Sequence, residues 1–355
     1  MAGPRVHIDI GAVVENWRMF SRRAAPGKAA AVVKADSYGL GAARIAPALA
    51  RAGCTRFYVA WAREGIELRK AVGANVEIAV FHGPASDTVE EFVAFNLEPV
   101  LNSLEQIDIW RGRTNMQRAY SLHVDTGMNR LGVSKSDWAE AARQAPSPHY
   151  LLSHLARADE QHAMNASQLE QFGKAASLWP QTPHKPPRSL SATGGAYLGP
   201  TFTLDEVRPG IGLYGGGPVP SEGPAPRTVV TLTTPILQVR RVGRGETVGY
   251  GSTWASDGDR TLATVGLGYA DGFLRAASNR GNAVVGGVRR PIVGRVSMDL
   301  IVVDVTGTNT KPGDEIEFLG PNMPLTEVAS AMGTIDYELL TRIGSRVERT
   351  WSGGE

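Results

Sequence analysis

The stretch AAAVVKADSYGLG, residues 29–41, joins an apolar segment directly to groups that can do chemistry. Ala29 to Lys34 is mostly small or β-branched, which predicts a short buried strand that ends on a lysine. An amine at the mouth of a buried strand loses part of its hydration, so its pKa falls and it can act as a nucleophile or base. Tyr38 follows four residues later, where its hydroxyl can hold a phosphate. The plain alternative for this pattern is a surface lysine where a strand meets solvent.

Alternating strands and helices surround this stretch and must position the lysine. Strands are predicted at 29–34, 57–60, 76–81, 97–101, 119–124, 149–153, 188–191 and 204–207. Helices rich in Ala, Leu and Glu are predicted at 41–52, 62–72, 86–95, 103–111, 136–144 and 161–178. This alternation is typical of a (β/α)8 TIM barrel. A doubly wound open sheet is the alternative, although no G-x-G-x-x-G motif follows the first strand.

Polar residues stand at or just beyond the ends of most predicted barrel strands. They are Lys34, His82, Asn102, Asp125, His154, Ser191 and Arg208. Barrel enzymes carry their chemistry on the C-terminal rim, where such side chains converge. Each residue alone could simply mark the end of a strand. A lysine, two histidines and an arginine around one rim favour a catalytic site.

The composition changes near residue 215, where the helical pattern almost vanishes. The segment GGGPVPSEGPAPR, residues 215–227, is rich in glycine and proline and predicts a linker. Beyond it, apolar runs separated by glycine turns predict strands. One short helix is expected at about 325–332, with Thr326 as its N-cap.

These observations predict an α/β protein with an N-terminal TIM barrel followed by a mostly β C-terminal domain. The chain of 355 residues is long enough for one large domain and one smaller domain. We expect the barrel over 1–220 and the β domain over 221–355, with the first strand, 5–10, joining the β domain.

Charge and cysteine content limit the classes of partner and compartment. The formal net charge is +2, so neither a nucleic acid nor a membrane surface is expected as a partner. Cys54 is the only cysteine, which excludes an intrachain disulfide and favours a reducing compartment. No apolar run approaches the length of a membrane span, and MAGPRVHIDI does not resemble a signal peptide. The expected location is the cytoplasm.

Motifs in both predicted domains resemble the alanine racemase family and occur in the family's order. They are VVKADSYGLG, HVDTGMNRLG, SHLARADE, VRPGIGLYG, VGYGSTW, GYADG, GRVSMD and IDYE. The resemblance covers nearly the whole chain. It implies a fold-type III enzyme that uses pyridoxal 5′-phosphate to interconvert L-alanine and D-alanine, with other small neutral amino acids as further substrates.

The resemblance also implies a role for each matching residue. Lys34 would hold the cofactor covalently. Arg130 would contact its phenolic oxygen, His154 would pack against its ring, and Arg208 would bond its pyridine nitrogen. The phosphate contacts would be Tyr38, Thr193, Gly210, Ile211 and Tyr337. The substrate contacts would be Arg130, Tyr269, Met298 and Asp299. No metal is implied.

Racemisation removes a proton from one face of Cα and returns it on the other, so two bases must flank that carbon. The resemblance gives these roles to Lys34 and Tyr250. A phenol titrates at about pH 10, so a tyrosine base needs charged neighbours such as Arg208, relayed through His154. The family also implies a head-to-tail homodimer with shared sites. Four residues would act on the partner's cofactor: Tyr250, Tyr269, Met298 and Asp299.

Two positions depart from the family pattern. Family members often have a carbamylated lysine seven residues before the arginine of the second motif, where this chain has His123. Imidazole forms no such stable carbamate, so Arg130 must be braced differently. The family segment Ala-Asn-Ser is replaced by Ser191, Ala192 and Thr193, and Ala192 cannot supply the amide.

Two other classes share parts of this plan. Fold-type III decarboxylases for ornithine or diaminopimelate place an acidic residue at the pyridine nitrogen, where this chain has Arg208. They also use a cysteine on the second domain, whereas Cys54 lies in the predicted barrel. Non-catalytic pyridoxal-phosphate carriers lack the β domain altogether. The sequence leaves open whether the enzyme serves cell-wall synthesis or alanine breakdown.

Overall fold

The computed structural model describes residues 3–179, 185–218, 220 and 222–354. The expected domain boundary at 220 and 221 lies partly outside them, because Ser221 is not among the described residues.

The chain divides into two compact units. The first, here called the barrel unit, comprises Val14–Leu213 and Gly217–Pro226. The second, here called the β unit, comprises Met1–Val13, Tyr214–Gly216 and Arg227–Glu355.

Nine short strands of the barrel unit follow β1 (Arg5–Asp9) and helix α1 (Ile10–Ala24) along the chain. They are β2 (Lys28–Ala29), β3 (Ala31–Val32), β4 (Arg56–Val59), β5 (Glu77–Val80), β6 (Glu98–Leu101), β7 (Ser121–His123), β8 (Leu151–Leu152), β9 (Arg188–Ser189) and β10 (Glu206–Val207). They form a parallel sheet in the order β2-β10-β9-β8-β7-β6-β5-β4-β3. Since β2 and β3 are pieces of one strand interrupted at Ala30, the path returns to its start and the barrel closes. The predicted barrel is therefore confirmed, and the open-sheet alternative is wrong.

Helical segments alternate with these strands, as expected for a barrel of this class. They are α2 (Lys34–Gly39), α3 (Ala42–Arg51), α4 (Ala62–Val72), α5 (Val89–Ala94), α6 (Leu104–Thr114), α7 (Trp138–Gln144), α8 (Ala163–Ala176) and α9 (Pro200–Thr203). The longer right-handed helices bury one apolar face; in α3 the buried positions include Ile45 and Leu49. Within the described ranges, every helix is too short or too polar to cross a membrane.

The β unit is built on a mostly antiparallel sheet. Its strands beyond β1 are β11 (Val230–Val242), β12 (Thr247–Val248), β13 (Trp254–Ala255), β14 (Arg260–Val265), β15 (Asn282–Val285), β16 (Val288–Pro291), β17 (Ile301–Asp304), β18 (Glu315–Leu319) and β19 (Glu348–Ser352). The main order is β16-β15-β18-β11-β1-β19, and β14 pairs with both β11 and β17, whereas β12 and β13 form a separate two-stranded sheet. Strand β1 pairs antiparallel with β11 and parallel with β19, so the beginning of the chain belongs to this sheet.

Two short helices follow β18, whereas the sequence predicted one. The expected helix is α10 (Leu325–Ala331), but its N-cap position is occupied by Pro324. Thr326 lies inside the first turn and its hydroxyl donates to Asp336 at 3.2 Å. The unpredicted helix, α11 (Asp336–Thr341), has six residues, which is too few to establish a helical period in the sequence.

Candidate active site

Lys34 lies directly after β3, at the C-terminal rim of the barrel. The pairing with β4 continues up to it, because the N–H of Val33 donates to the carbonyl of Tyr58 at 2.9 Å. Burial and then the charge of Arg130 lower the Lys34 pKa, while the carboxylate of Glu64 raises it. The lowered pKa makes the neutral amine, which is the form that acts as a nucleophile or a base, easier to reach than in a free lysine.

Glu64, in the first turn of α4, fixes the backbone on both sides of this rim position. Its Oε1 accepts from the N–H of Ala35 at 2.9 Å, and its Oε2 accepts from the N–H of Ala60 at 2.7 Å. Sequence reasoning missed this residue. The usual capping pattern begins with Ser, Thr, Asp or Asn, whereas here Trp61 is the N-cap.

The segment α2 is one turn of left-handed helix. Residues 35–38 have φ values of 50, 53, 53 and 59°, although none of them is glycine. This conformation costs L-residues roughly 1–2 kcal/mol each, and such strain is typical of functional sites. It leaves the Tyr38 side chain buried. The sequence predicted a turn here, but not its handedness.

Four of the predicted phosphate contacts meet next to this turn, in what we call the anion cradle: Tyr38, Thr193, Gly210 and Ile211. The Thr193 hydroxyl accepts from the N–H of Gly210 at 3.2 Å and from the N–H of Gly212 at 3.1 Å. A Cβ on Gly210 would lie only 2.3 Å from the Tyr38 hydroxyl, so the two segments are in close contact. Backbone N–H groups that converge beside hydroxyls fit a phosphate. The replacement of serine by threonine in this segment keeps the hydroxyl in place.

Arg208 follows β10, and its guanidinium is buried and tightly held. Its Nη1 donates to the Ser189 hydroxyl at 2.5 Å. Its Nη2 donates to the carbonyls of Ser153 at 2.7 Å and Leu190 at 3.3 Å. These partners fix the direction in which the remaining N–H groups point.

His154 follows β8 on the same rim and is half-buried. Burial and then the positive charges of Arg208 and Arg130 hold its pKa well below the ordinary value, with smaller effects of His123 and Lys34. The imidazole is therefore neutral near pH 7. The two guanidiniums that act on His154, Arg208 and Arg130, make this part of the rim electropositive, which suits an anionic ligand.

His123 is neutral as well, and it is bonded to Asn102 rather than to an arginine. The distance from His123 Nδ1 to Asn102 Oδ1 is 2.9 Å. The Asn102 amide nitrogen donates to the carbonyls of Phe81 and Val100, so its oxygen accepts and His123 Nδ1 carries the proton. Burial, with Arg208, lowers the His123 pKa to about 3.

Arg130 lies exposed on the loop after β7. Asp125 organises this loop by accepting from the N–H groups of Gly127, Met128 and Asn129 at 2.8 to 2.9 Å. Within the described ranges, Arg130 itself forms neither a hydrogen bond nor an ion pair with another side chain. A side-chain brace replacing the family's carbamylated lysine is therefore not formed in this structure.

The remaining predicted site residues lie in the β unit. Tyr250 is 73% exposed on the turn between β12 and β13. Tyr269 and Met298 belong to two loops held together by the backbone, since the N–H of Tyr269 donates to the carbonyl of Ser297 at 3.1 Å. Asp299 accepts from Arg346 at 2.8 Å. The structure thus brings three of the four predicted substrate contacts together: Tyr269, Met298 and Asp299. Tyr337 lies in the first turn of α11.

One further cluster has metal-ligating side chains, at the opposite end of the barrel strands. Among the described residues, Glu77, Glu98 and His149 lie close enough to share an ion. Arg56 donates to Glu77 at 2.7 Å and to Glu98 at 2.6 Å, so a guanidinium already supplies the positive charge. We assign no metal to this cluster.

The barrel, its rim lysine and its anion cradle define a TIM-barrel enzyme that acts with a phosphate-bearing ligand. The family follows from direct comparison of the sequence. The alanine racemase N-terminal domain matches residues 8–218, and the alanine racemase C-terminal domain matches residues 229–351. The chain belongs to the alanine racemase family.

Individual relatives agree along the whole chain. The alanine racemase of Dinoroseobacter shibae is 44% identical over 361 residues, covering 100% of this chain and 99% of that protein. The alanine racemase structure from Bartonella henselae, described with covalently bound pyridoxal phosphate, is 37% identical with a TM-score of 0.92, covering 99% of this chain and 100% of the other. That from the D-cycloserine producer Streptomyces lavendulae is 31% identical with a TM-score of 0.93, covering 100% and 98%.

Proposed function

We propose that this protein is an alanine racemase that binds pyridoxal 5′-phosphate and interconverts L-alanine and D-alanine. The observation that carries the proposal is the position of the anion cradle, one left-handed turn from Lys34. The amine of Lys34 has a lowered pKa, and the left-handed turn of residues 35–38 connects it to the phosphate site. This arrangement suits a cofactor that has an aldehyde at one end and a phosphate at the other.

The residues of the barrel unit fit this cofactor. Tyr38, Thr193 and the backbone of Gly210 and Ile211 would hold the phosphate. Tyr337, which belongs to the β unit, would be a further contact. When bound, pyridoxal phosphate supplies an electron sink that weakens the Cα–H bond of an amino acid joined to it.

Arg208 would face the pyridine nitrogen. A guanidinium is always cationic, so it leaves that nitrogen without a proton and limits electron withdrawal. This favours return of the proton to Cα over transamination. An acidic residue at this position, as in the decarboxylases, would have the opposite effect.

Two bases would serve the two faces of Cα. Lys34 would take or return the proton on one face, and its lowered pKa makes the neutral form that accepts a proton easier to reach. Tyr250 would serve the other face. His154, which is neutral and lies within the influence of Arg208, would relay the effect of that charge to the phenol.

The substrate would be a small neutral amino acid. Arg130 would meet both the cofactor and the substrate, while Tyr269, Met298 and Asp299 would line the entrance. Asp299 forms an ion pair with Arg346 there, and both side chains are about half-exposed.

A homodimer with shared sites is part of the proposal. Several large apolar side chains of the β unit are exposed, as expected for a surface that a second copy covers: Tyr250, Tyr269, Met298 and Leu300.

We also propose a cytoplasmic location, since the only cysteine, Cys54, is buried and unpaired.

The test is to incubate the purified protein with single enantiomers of alanine and other small amino acids, and to follow the optical rotation. We expect the optical rotation to decay to zero whether the reaction starts from L-alanine or from D-alanine. A Lys34→Ala variant should lose this activity. Borohydride reduction and peptide mapping should place the cofactor on Lys34. Unchanged rotation for a protein loaded with cofactor, or a modified lysine elsewhere, would contradict the proposal.

A further inference from the structure

Charged side chains occupy the interior of the barrel below Arg208, where other barrels have branched apolar residues. Arg56, Glu98 and Glu206 stand at the first positions of β4, β6 and β10, and they are 3, 6 and 1% exposed. A buried ion destabilises a protein unless it is paired and hydrogen-bonded. The partners of these three residues therefore show what each charge does.

Arg56 and Glu98 neutralise each other. Arg56 Nη2 donates to Glu98 Oε1 at 2.6 Å, and Arg56 Nη1 donates to Glu98 Oε2 at 2.8 Å, in a bidentate pair. Ser121 and His149 also donate to Glu98. Although burial opposes ionisation, Arg56 and His149 lower the pKa of Glu98 to about 2. Both oxygens of this carboxylate therefore accept hydrogen bonds from side chains at the N-terminal end of the barrel strands.

Glu206 has different partners, and they lead to Arg208. Its Oε1 accepts from the Tyr58 hydroxyl at 2.7 Å. The Ser189 hydroxyl lies 3.0 Å from the same oxygen and 3.0 Å from the backbone carbonyl of Glu206, so both acceptors that it can reach belong to Glu206. Ser189 in turn accepts from Arg208 Nη1 at 2.5 Å. Arg56 Nε is more distant, at 3.5 Å from Glu206 Oε2. One hydroxyl therefore connects the Glu206 carboxylate to the Arg208 guanidinium.

The geometry of the strand reinforces this connection. Glu206 and Arg208 are two residues apart, so both side chains point to the barrel interior. Glu98 is paired with Arg56. Burial raises the pKa of Glu206, whereas the charges of Arg56 and Arg208 and the hydrogen bonds from Tyr58 and Ser189 act against this and favour the carboxylate. The hydrogen bonds from Arg208 to Ser189 and from Ser189 to Glu206 keep the guanidinium in one orientation. A donor that must meet a ring nitrogen requires such a fixed orientation.

We propose that Glu206 is a positioning residue for Arg208, acting through the Ser189 hydroxyl to fix the guanidinium and supply its counter-charge. This rests on the proposed function, because the role of Arg208 at the pyridine nitrogen gives its orientation a consequence. Neither Glu206 nor Ser189 touches the cofactor or the substrate in this proposal.

The test compares Glu206→Gln with Glu98→Gln, a matched change of an equally buried carboxylate in the same interior. The apoenzymes are titrated with pyridoxal phosphate, and their thermal unfolding is recorded. We expect both variants to melt earlier, while Glu206→Gln alone weakens cofactor binding, by roughly tenfold to a hundredfold, the usual effect of one charged hydrogen bond. We also expect the absorption maximum of the bound cofactor to shift in Glu206→Gln, because it depends on the charges beside the ring.

A third variant, Ser189→Ala, breaks the connection while leaving both charges in place. It should weaken cofactor binding as Glu206→Gln does, and it keeps the test available if Glu206→Gln does not fold. Equal losses of affinity in the Glu206 and Glu98 variants, or unchanged affinity and spectrum in Glu206→Gln and Ser189→Ala, would overturn the proposal. Failure of the wild-type protein to bind pyridoxal phosphate or to racemise alanine would instead overturn the proposed function.

Discussion

The hydroxyl of Tyr38 lies against the backbone of Gly210, so close that a Cβ at position 210 would be 2.3 Å from it. This contact joins the strained turn after Lys34 to the segment that follows Arg208. The residue that would carry the cofactor and the residue that would face its ring are thus linked through the anion cradle.

This contact predicts that Gly210→Ala disturbs the cradle more than the fold. The added methyl group must displace the Tyr38 hydroxyl, which would remove a phosphate contact. Affinity of the apoenzyme for pyridoxal phosphate should fall by roughly tenfold or more, as for the loss of one hydrogen bond to a charged group. The control is Gly112→Ala in helix α6, where a Cβ would meet nothing within 4 Å. Unchanged cofactor affinity in Gly210→Ala would show that the cradle does not hold the phosphate.

The barrel was predictable because its elements are repeated and periodic. Helix α4 was predicted over 62–72, and it spans Ala62–Val72. The left-handed turn of α2 was not predictable, because Gly39 indicates only that the chain bends there. Its four left-handed residues are alanine, aspartate, serine and tyrosine, which propensity assigns to other conformations. Contacts with distant segments decide this conformation.

The site residues that belong to a local sequence motif could be predicted. Those that depend on charged residues far away in the sequence could not. Tyr38 and Thr193 lie in motifs and meet at the anion cradle. In the sequence, Glu206 is simply one charged residue within the predicted strand 204–207. Its burial can be understood only when Ser189 and Tyr58, on two other strands, are seen to donate to it. Such long-range pairings leave no pattern in a single sequence.

Shared sites in a homodimer predict complementation between two inactive variants. Lys34→Ala removes one base and Tyr250→Ala removes the other, from different units of the chain. After random subunit exchange, half of the dimers are mixed and one of their two sites is intact, so about a quarter of the wild-type activity should return. The control mixes Lys34→Ala with a chain carrying both substitutions, which can form no intact site. No recovery despite measured exchange would exclude sites shared between subunits.

The neutral state of His123 predicts how stability changes in acid. Its pKa is about 3 in the folded protein and about 6.5 in an unfolded chain. The unfolded state therefore binds a proton first, and the free energy of unfolding falls as the pH drops from about 6.5 towards 3. A His123→Gln variant should lose less stability over this interval, measured by urea unfolding at a series of pH values. Above pH 7 the two proteins should show the same pH dependence; a parallel decline in acid would mean that His123 is not kept neutral.

The two-base mechanism predicts that the two enantiomers of alanine depend on different residues. Lys34 would take the proton from D-alanine, and Tyr250 would take it from L-alanine. A positioned base typically contributes about 10²–10⁴-fold to the rate of proton transfer. Loss of one base should therefore affect the two substrates unequally.

The decisive variant is Tyr250→Phe, which keeps the ring and removes only the hydroxyl. Racemisation should collapse in both directions, because each turnover needs both faces of Cα. In deuterated water the variant should still exchange the α-proton of D-alanine, since Lys34 remains, whereas exchange from L-alanine should nearly stop. Proton NMR of each enantiomer over time, with one enzyme stock, makes D-alanine the internal control for folding and cofactor content. Equal exchange from both enantiomers would mean that one base or a mobile water serves both faces, and Tyr250 would then not be the second base.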